Sequence, residues 1–306
     1  MGDNFMKKRR YSEVLGNFKY ELKIRLRDYA LAFKVLLKNP LSTCGFFIIF
    51  GFVILAIISP LIAPYPEDVI SVHLDRRLLP PSLEHPFGTD DMGRDIFSRV
   101  LIGARISLKI IVFVVFTSAL IGCIIGAISG FFGGLIDEVI MRITDMFLAF
   151  PSLILAMAIA AALGPSIQNA MIAIVFTWWP WYARLVRGQA LYLRELPFIE
   201  AEKAIGLGRF RIIMKHILPN CMGPVIVQMS LDAGYVLLTA AGLSFIGLGA
   251  QPPTPEWGLM VSIGRMYMPQ WWWCSFFPGV AIMIVVLGFN LLGDALRELL
   301  EPRMRR

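Results

Sequence analysis

Apolar side chains in this chain fall into long blocks, and the charges are gathered between them. Residues 39–66, 110–136, 146–183 and 266–293 contain no Asp, Glu, Lys or Arg. Crossing the hydrocarbon core of a bilayer takes ~20 apolar residues of helix, and each block is longer than that. Only helices or closed barrels satisfy their backbone groups in lipid, and blocks this long are helical. The pattern predicts an all-α membrane protein with six transmembrane helices.

The first span is expected at 44–63, with Pro60, Pro64 and Pro66 marking its exit. The second is expected at 106–131. The block 146–183 is too long for one crossing, and Gly164-Pro165-Ser166 divides it into a third span, 139–163, and a fourth, 167–186. The fifth is expected at 221–247. Pro252, Pro253 and Pro255 forbid helix before the sixth, at 275–294.

Composition agrees. Of 306 residues, 57% are hydrophobic and 17% charged, where a soluble domain carries about a quarter charged. The net charge of +7 does not indicate nucleic acid, because it is localised. Residues 1–43 hold ten basic and four acidic side chains, a net +6. A basic segment before a first span keeps that end in the cytoplasm and attracts anionic lipid. Within it, residues 11–38 are expected to form an amphipathic helix on the inner membrane surface. The segment is too long and too rich in acids for a cleaved leader, so 44–64 is read as a retained span.

Residues 65–105 form the predicted extracytoplasmic loop, and 65–100 carry seven acids against four arginines. Asp137, Glu138, Arg142 and Asp145 open the third span on the inner side, and Arg184 and Arg187 close the fourth there. The tail, 297–306, brings Arg297, Arg303, Arg305 and Arg306, so both termini are expected in the cytoplasm. The four cysteines have no metal-ligand spacing and read as small apolar residues.

Between the fourth and fifth spans a charged stretch, EAEKAIGLGRFRIIMKHILPN (200–220), falls on the inner side. Pro197 can open a helix that runs through Phe198–Ile205. Gly206-Leu207-Gly208 supplies backbone freedom for a turn, and Arg209–Ile217 can form a second helix, stopped at Leu218-Pro219. Phe198, Ile199, Ile205, Leu207, Phe210, Ile212 and Ile213 give apolar faces, while Glu200, Glu202, Arg209, Arg211 and Lys215 stay wet. Such a helix-turn-helix is shaped to plug a groove in another protein; a surface helix pinned to lipid is the alternative.

Other residues invite roles. Gly122, Gly126 and Gly130 recur every fourth residue, spacing that lets helix backbones approach closely in lipid. Asp232 is the ionisable residue of the fifth span, with Gln228 one turn before it. At membrane depth such groups line a path or bond a neighbouring helix. Asp90, Asp91 and Asp95 lack calcium-loop spacing and include Arg94, which favours a structural loop over a metal site. Trp178, Trp179, Trp181 and Trp271–Trp273 read as interfacial anchors. His73 and His85 have no evident partner.

The stretch 200–219 resembles the cytoplasmic loop of ABC-importer permeases: E-A-A, three residues, G, nine residues, I, one residue, L-P. Glu200, Ala201, Gly206, Leu218 and Pro219 match, whereas Glu202 stands for the second alanine and His216 for the isoleucine. HPFGTDDMGRDIFSRVLIGARISL (85–108), GLSFIGLGAQPPTPEWG (242–258) and FPGVAIMIVVLGFNLLGDALRELLEPR (277–303) are similar to the C-type subunit of the dipeptide/oligopeptide permease family.

That resemblance implies a type I importer fold, with a five-helix core at 106–296 following the N-terminal segment and first helix. It implies a coupling loop at 195–219, in which Glu200, Ala201, Glu202, Gly206, Leu207, Gly208, Arg209, Phe210, Leu218 and Pro219 meet an ATPase. Two ATPase subunits binding ATP and Mg, a second homologous permease and an extracytoplasmic solute-binding protein are the implied partners. The chain has no G-x-x-x-x-G-K-[ST] loop to cradle ATP, so it binds no cofactor of its own and is not itself the enzyme.

Peptides are the expected cargo, with oligosaccharide or nickel in the same machinery as alternatives. A secondary transporter or channel acting alone, or a membrane-embedded enzyme, would need no such loop.

Overall fold

The computed structural model describes residues 39–300; the predicted amphipathic helix 11–38 and the tail arginines after 300 lie outside the described residues. The helices are α1 (Pro40–Ile62), α2 (Ile96–Phe132), α3 (Gly134–Leu148), α4 (Ser152–Leu163) and α5 (Ile167–Arg194). They continue as α6 (Pro197–Ala204), α7 (Arg209–Ile212), a π-helical turn (Ile213–Ile217), α8 (Leu218–Ile246), α9 (Trp257–Gly264) and α10 (Trp273–Leu300). Among the described residues no strand forms.

Four helices are long and apolar enough to cross a membrane: α1, α2, the rod Arg209–Ile246 and α10. The bent pair α3–α4 raises the number to five. The remaining expected crossing falls on α5. Its 28 residues reach ~42 Å at 1.5 Å per residue, but Gln168, Asn169, a tryptophan cluster and three arginines dilute its apolar content.

Two sequence expectations are corrected. The third span is not straight, because α3 and α4 meet at 88° across residues 149–151. Pro151 fixes its own φ and drives the preceding residue from helical geometry, so the rod breaks there. The second helix of the charged stretch does not stop at Leu218-Pro219. It passes through the π turn into α8 as one 38-residue rod. A π turn already disrupts the regular hydrogen-bond ladder, so the missing N–H of Pro219 is tolerated there.

The bundle closes through small residues. A β-carbon on Gly45 would meet Leu291 Cβ at 2.7 Å, which places α1 hard against α10. Phe52 on α1 packs on Trp257 and Phe289. The 63–95 loop folds over one end of the bundle, and several of its charged groups pair with one another. Asp95 caps α2 by accepting from Ser98 N–H at 2.7 Å, and also meets His85 Nδ1 at 2.9 Å. His73 Nε2 lies 2.9 Å from Asp68. Both histidines therefore have partners that sequence alone did not name.

Asp90 takes Arg94 Nε at 2.8 Å and the N–H groups of Met92 and Arg94, which makes it a structural clamp. Arg99, 2% exposed, donates to the carbonyls of Val69 and Pro253 and ties that loop to the one before α9. Glu256 caps α9 from a fully buried site, and burial pushes its carboxyl above the usual range. The tryptophans divide. Trp181 and Trp272 are exposed, whereas Trp178, Trp179 and Trp273 are packed inside, Trp273 donating to the Thr89 carbonyl at 3.3 Å. Trp271 is half-buried, so one ring of each cluster is exposed.

Candidate functional site

The turn between α6 and α7 is built by its own sequence. Pro197 occupies the first turn of α6, where a missing N–H costs nothing. Glu200 follows in that turn, where the helix dipole favours an acid. Gly206 has φ +81°. Its N–H donates to Lys203 O, and Leu207 N–H reaches back to Glu202 O at 3.0 Å, a Schellman ending that needs a left-handed residue. Gly208 has φ −63° and caps α7 in an extended conformation open to other residues. Only Gly206 uses the freedom expected of the pair.

A small core sits beneath the turn. Ile199, Ile212, Ile213 and Ile217 are buried, so the two limbs pack on each other and on the bundle. The opposite face is apolar and bare: Ile205 is 78% exposed, Phe210 76%, and Phe198 and Met214 about half. Ala201, Glu200, Arg209 and Pro219 are exposed beside them, and Leu207 and Leu218 are half-buried. The structure therefore brings the residues of the charged stretch into one projecting knob.

The knob is clipped to the end of α2 by groups that the sequence motif does not include. The Lys203 ammonium lies 5.6 Å from the Phe131 ring centre, and the Arg209 guanidinium 5.8 Å from that of Phe132. Arg194 donates to the Gly130 carbonyl at 3.1 Å. Nearby, Arg187 on α5 grips Asp137 on α3 with two bonds of 2.5 and 2.6 Å, and Ser129 also donates to Asp137. Two planar groups paired in this way resist rotation as well as separation. Fifty residues separate Asp137 from Arg187, so no local pattern announces the pair.

Gly122, Gly126 and Gly130 lie along the seam between α2 and α5. A β-carbon on Gly122 would stand 2.5 Å from Trp179 O, and one on Gly130 2.7 Å from Arg187 O. On Gly126 it would be closer still to the Ala183 carbonyl. Deeper in the bundle, Gln228 Nε2 donates to Asp232 Oδ1 at 3.0 Å. Asp232 is 5% exposed, with the Tyr182 hydroxyl beside it, while Gln228 remains half-open.

The described helices thus combine membrane-crossing length with a compact helical knob whose outer face is apolar and bare. The chain belongs to the family described as binding-protein-dependent transport system inner membrane component, which matches residues 122–306. The N-terminal transmembrane domain of oligopeptide transport permease C matches residues 29–81.

Among its relatives, the dipeptide transport system permease protein DppC of Alkalihalophilus pseudofirmus is 49% identical over 274 residues, 90% of each chain. The probable D,D-dipeptide transport system permease protein DdpC of Escherichia coli is 49% identical, covering 87% of this chain and 88% of its own. The glutathione transport system permease protein GsiD of another E. coli strain is 44% identical over 86% of each. In fold, the chain is similar to one from inward facing conformations of the MetNI methionine ABC transporter. The TM-score is 0.50 and the identity 20%, over 63% of this chain and 92% of that one.

Proposed function

We propose that this chain is the C-type permease subunit of an ATP-driven importer of di- or oligopeptides. Its partners are a homologous second permease, two ATPase subunits that bind ATP and Mg, and an extracytoplasmic solute-binding protein. The observation that carries this reading is the knob at 197–219, with Ile205 and Phe210 presented to a partner. The dipeptide, D,D-dipeptide and glutathione permeases among the relatives support a peptide cargo.

In this mechanism, closure of the ATPase pair moves the knob on the cytoplasmic side of the cell membrane, where both termini also lie. Because α7 runs unbroken into α8, that movement reaches the bundle without a flexible joint. The nucleotide can shift the permease between inward-open and outward-open states only through different ATPase affinity for the two.

The complete transporter in proteoliposomes is expected to accumulate labelled dipeptide only with ATP and binding protein present. Uptake by the permease pair alone, driven by a gradient, would instead establish a secondary transporter. ATP-dependent uptake of nickel or oligosaccharide but not peptide would reassign the cargo.

Within the bundle, Gln228 stands at the edge of the translocation path, and Asp232 behind it holds the carboxamide in place. Gln228→Ala is expected to raise the apparent KM for peptide severalfold while the melting temperature stays put. Asp232→Ala is expected to lower the melting temperature as well, since it empties a buried site and removes the acceptor of the Gln228 bond. An unchanged KM in Gln228→Ala would remove Gln228 from the path.

A further inference from the structure

Glu202 and His216 are the two positions at which this chain departs from the coupling-loop pattern, and the fold brings them together. His216 Nδ1 lies 2.9 Å from Glu202 Oε1. Glu202 sits on α6, and His216 in the π turn that joins α7 to α8. The side chains are 18% and 31% exposed, so the pair is partly sheltered where α6 meets the π turn. The second carboxylate oxygen, Oε2, is enclosed and has no hydrogen-bond partner among the described residues. Asn220 Nδ2 donates to the His216 carbonyl at 2.6 Å, which fixes the backbone on that side.

We propose that Glu202 and His216 form a clasp, a pair of positioning residues that locks α6 to the base of α8. The proposal rests on the coupling reading given above and adds the element through which the force passes. Without the clasp, α6 is an eight-residue helix held by the turn at Gly206, by Lys203 over the Phe131 ring and by a few isoleucines, Ile199 chief among them. A helix that short has little stability of its own. Pushed by a partner, it could swing about Gly206 rather than carry α8 with it.

The clasp adds a direct tether from α6 to the base of α8 across the turn, which suppresses rotation about Gly206. It needs no particular charge on the imidazole, because Nδ1–H donates to the carboxylate whether or not Nε2 is protonated. The alanine and isoleucine of the family pattern would fill the same space by apolar contact. Two departures that face each other have therefore exchanged one kind of tether for another.

The test uses the complete transporter and reads peptide uptake per ATP hydrolysed, with ATPase co-purification as a separate readout. His216→Ile should lower uptake per ATP about five- to tenfold, the loss of one partly buried hydrogen bond, with ATPase recovery near wild type, and Glu202→Ala should lower uptake per ATP by a similar factor. Glu202→Gln retains an acceptor oxygen for Nδ1–H and should stay within about twofold. The double variant Glu202→Ala/His216→Ile restores the family residues at both positions and should recover to within about twofold, a coupling that separate sites would not show.

Unchanged uptake per ATP in both single variants would overturn the clasp. So would a double variant no better than the worse single, or a failure of Glu202→Gln to rescue. Loss of ATPase recovery in His216→Ile would also overturn it, because that would place His216 in the docking face. The coupling reading itself is judged separately, by the outward residues Ile205 and Phe210.

Discussion

Ile205→Asp combined with Phe210→Asp is expected to cut recovery of the ATPase subunits with the permease by at least about thirtyfold. Both side chains are more than three-quarters exposed, so neither substitution removes a packing contact within this chain. Membrane insertion and melting temperature should therefore be preserved, and the loss would be one of docking. The reason is desolvation. A carboxylate driven into an apolar groove must shed its water without gaining a partner.

Gly206→Val should reach the same result by another route. Its β-carbon would meet nothing within 4 Å, but φ is +81°, where a β-branched residue is strained. The turn would open and the face would lose its shape. Glu200→Lys, which places a cation in the first turn of α6, should also weaken recovery. Co-purification from membranes measures all of these. Unimpaired ATPase recovery in the Ile205/Phe210 variant would refute the docking role of the knob.

The second large effect belongs to the seam. Gly126→Leu should reduce the amount of folded, monodisperse permease extracted from membranes to near background. Even the first added carbon would overlap the backbone of Ala183, and backbone cannot rotate away as a side chain can. The seam must then separate or shear, which breaks the Arg187–Asp137 grip beside it. Overpacking costs typically about 1–3 kcal/mol, and more where only backbone can yield. Gly122→Val should behave similarly, since a β-carbon there would meet Trp179 O at 2.5 Å.

Gly223→Ala and Gly242→Ala on α8 are the controls. Neither site has an atom within 4 Å of an added β-carbon, so extraction yield should stay at wild-type level. Size-exclusion profiles of a fluorescent fusion read the series directly. A folded Gly126→Leu permease at normal yield would show that α2 and α5 are not joined there in the membrane.

The two sets of residues differed in how plainly the sequence announced them. The knob was legible because its signals are local. Pro197 and Gly206 each act on the backbone next to them, and the apolar residues alternate with charges over a single turn. The seam was legible as a spacing of four, although the spacing could not name the facing helix. Asp232 was visible as a charge in an apolar run, but its burial against Tyr182 and its bond to Gln228 were not. The Glu202–His216 contact was invisible for a further reason. Each residue looked like an isolated exception until the turn brought the two within 2.9 Å.

By itself the sequence determined the class of protein, its apolar helices and the turn in the charged stretch. Partition of an apolar run into lipid sums over consecutive residues, and a proline or glycine constrains its immediate neighbours. Both are properties of a short stretch of chain. Only the tertiary structure decided that α3 and α4 meet at a right angle, and that α7 continues unbroken into α8. It likewise decided which distant charges pair, joining His85 to Asp95 and Asp137 to Arg187. Those outcomes depend on which segments come to lie side by side, and residues far apart in sequence acquire an interaction energy only once the bundle has closed around them.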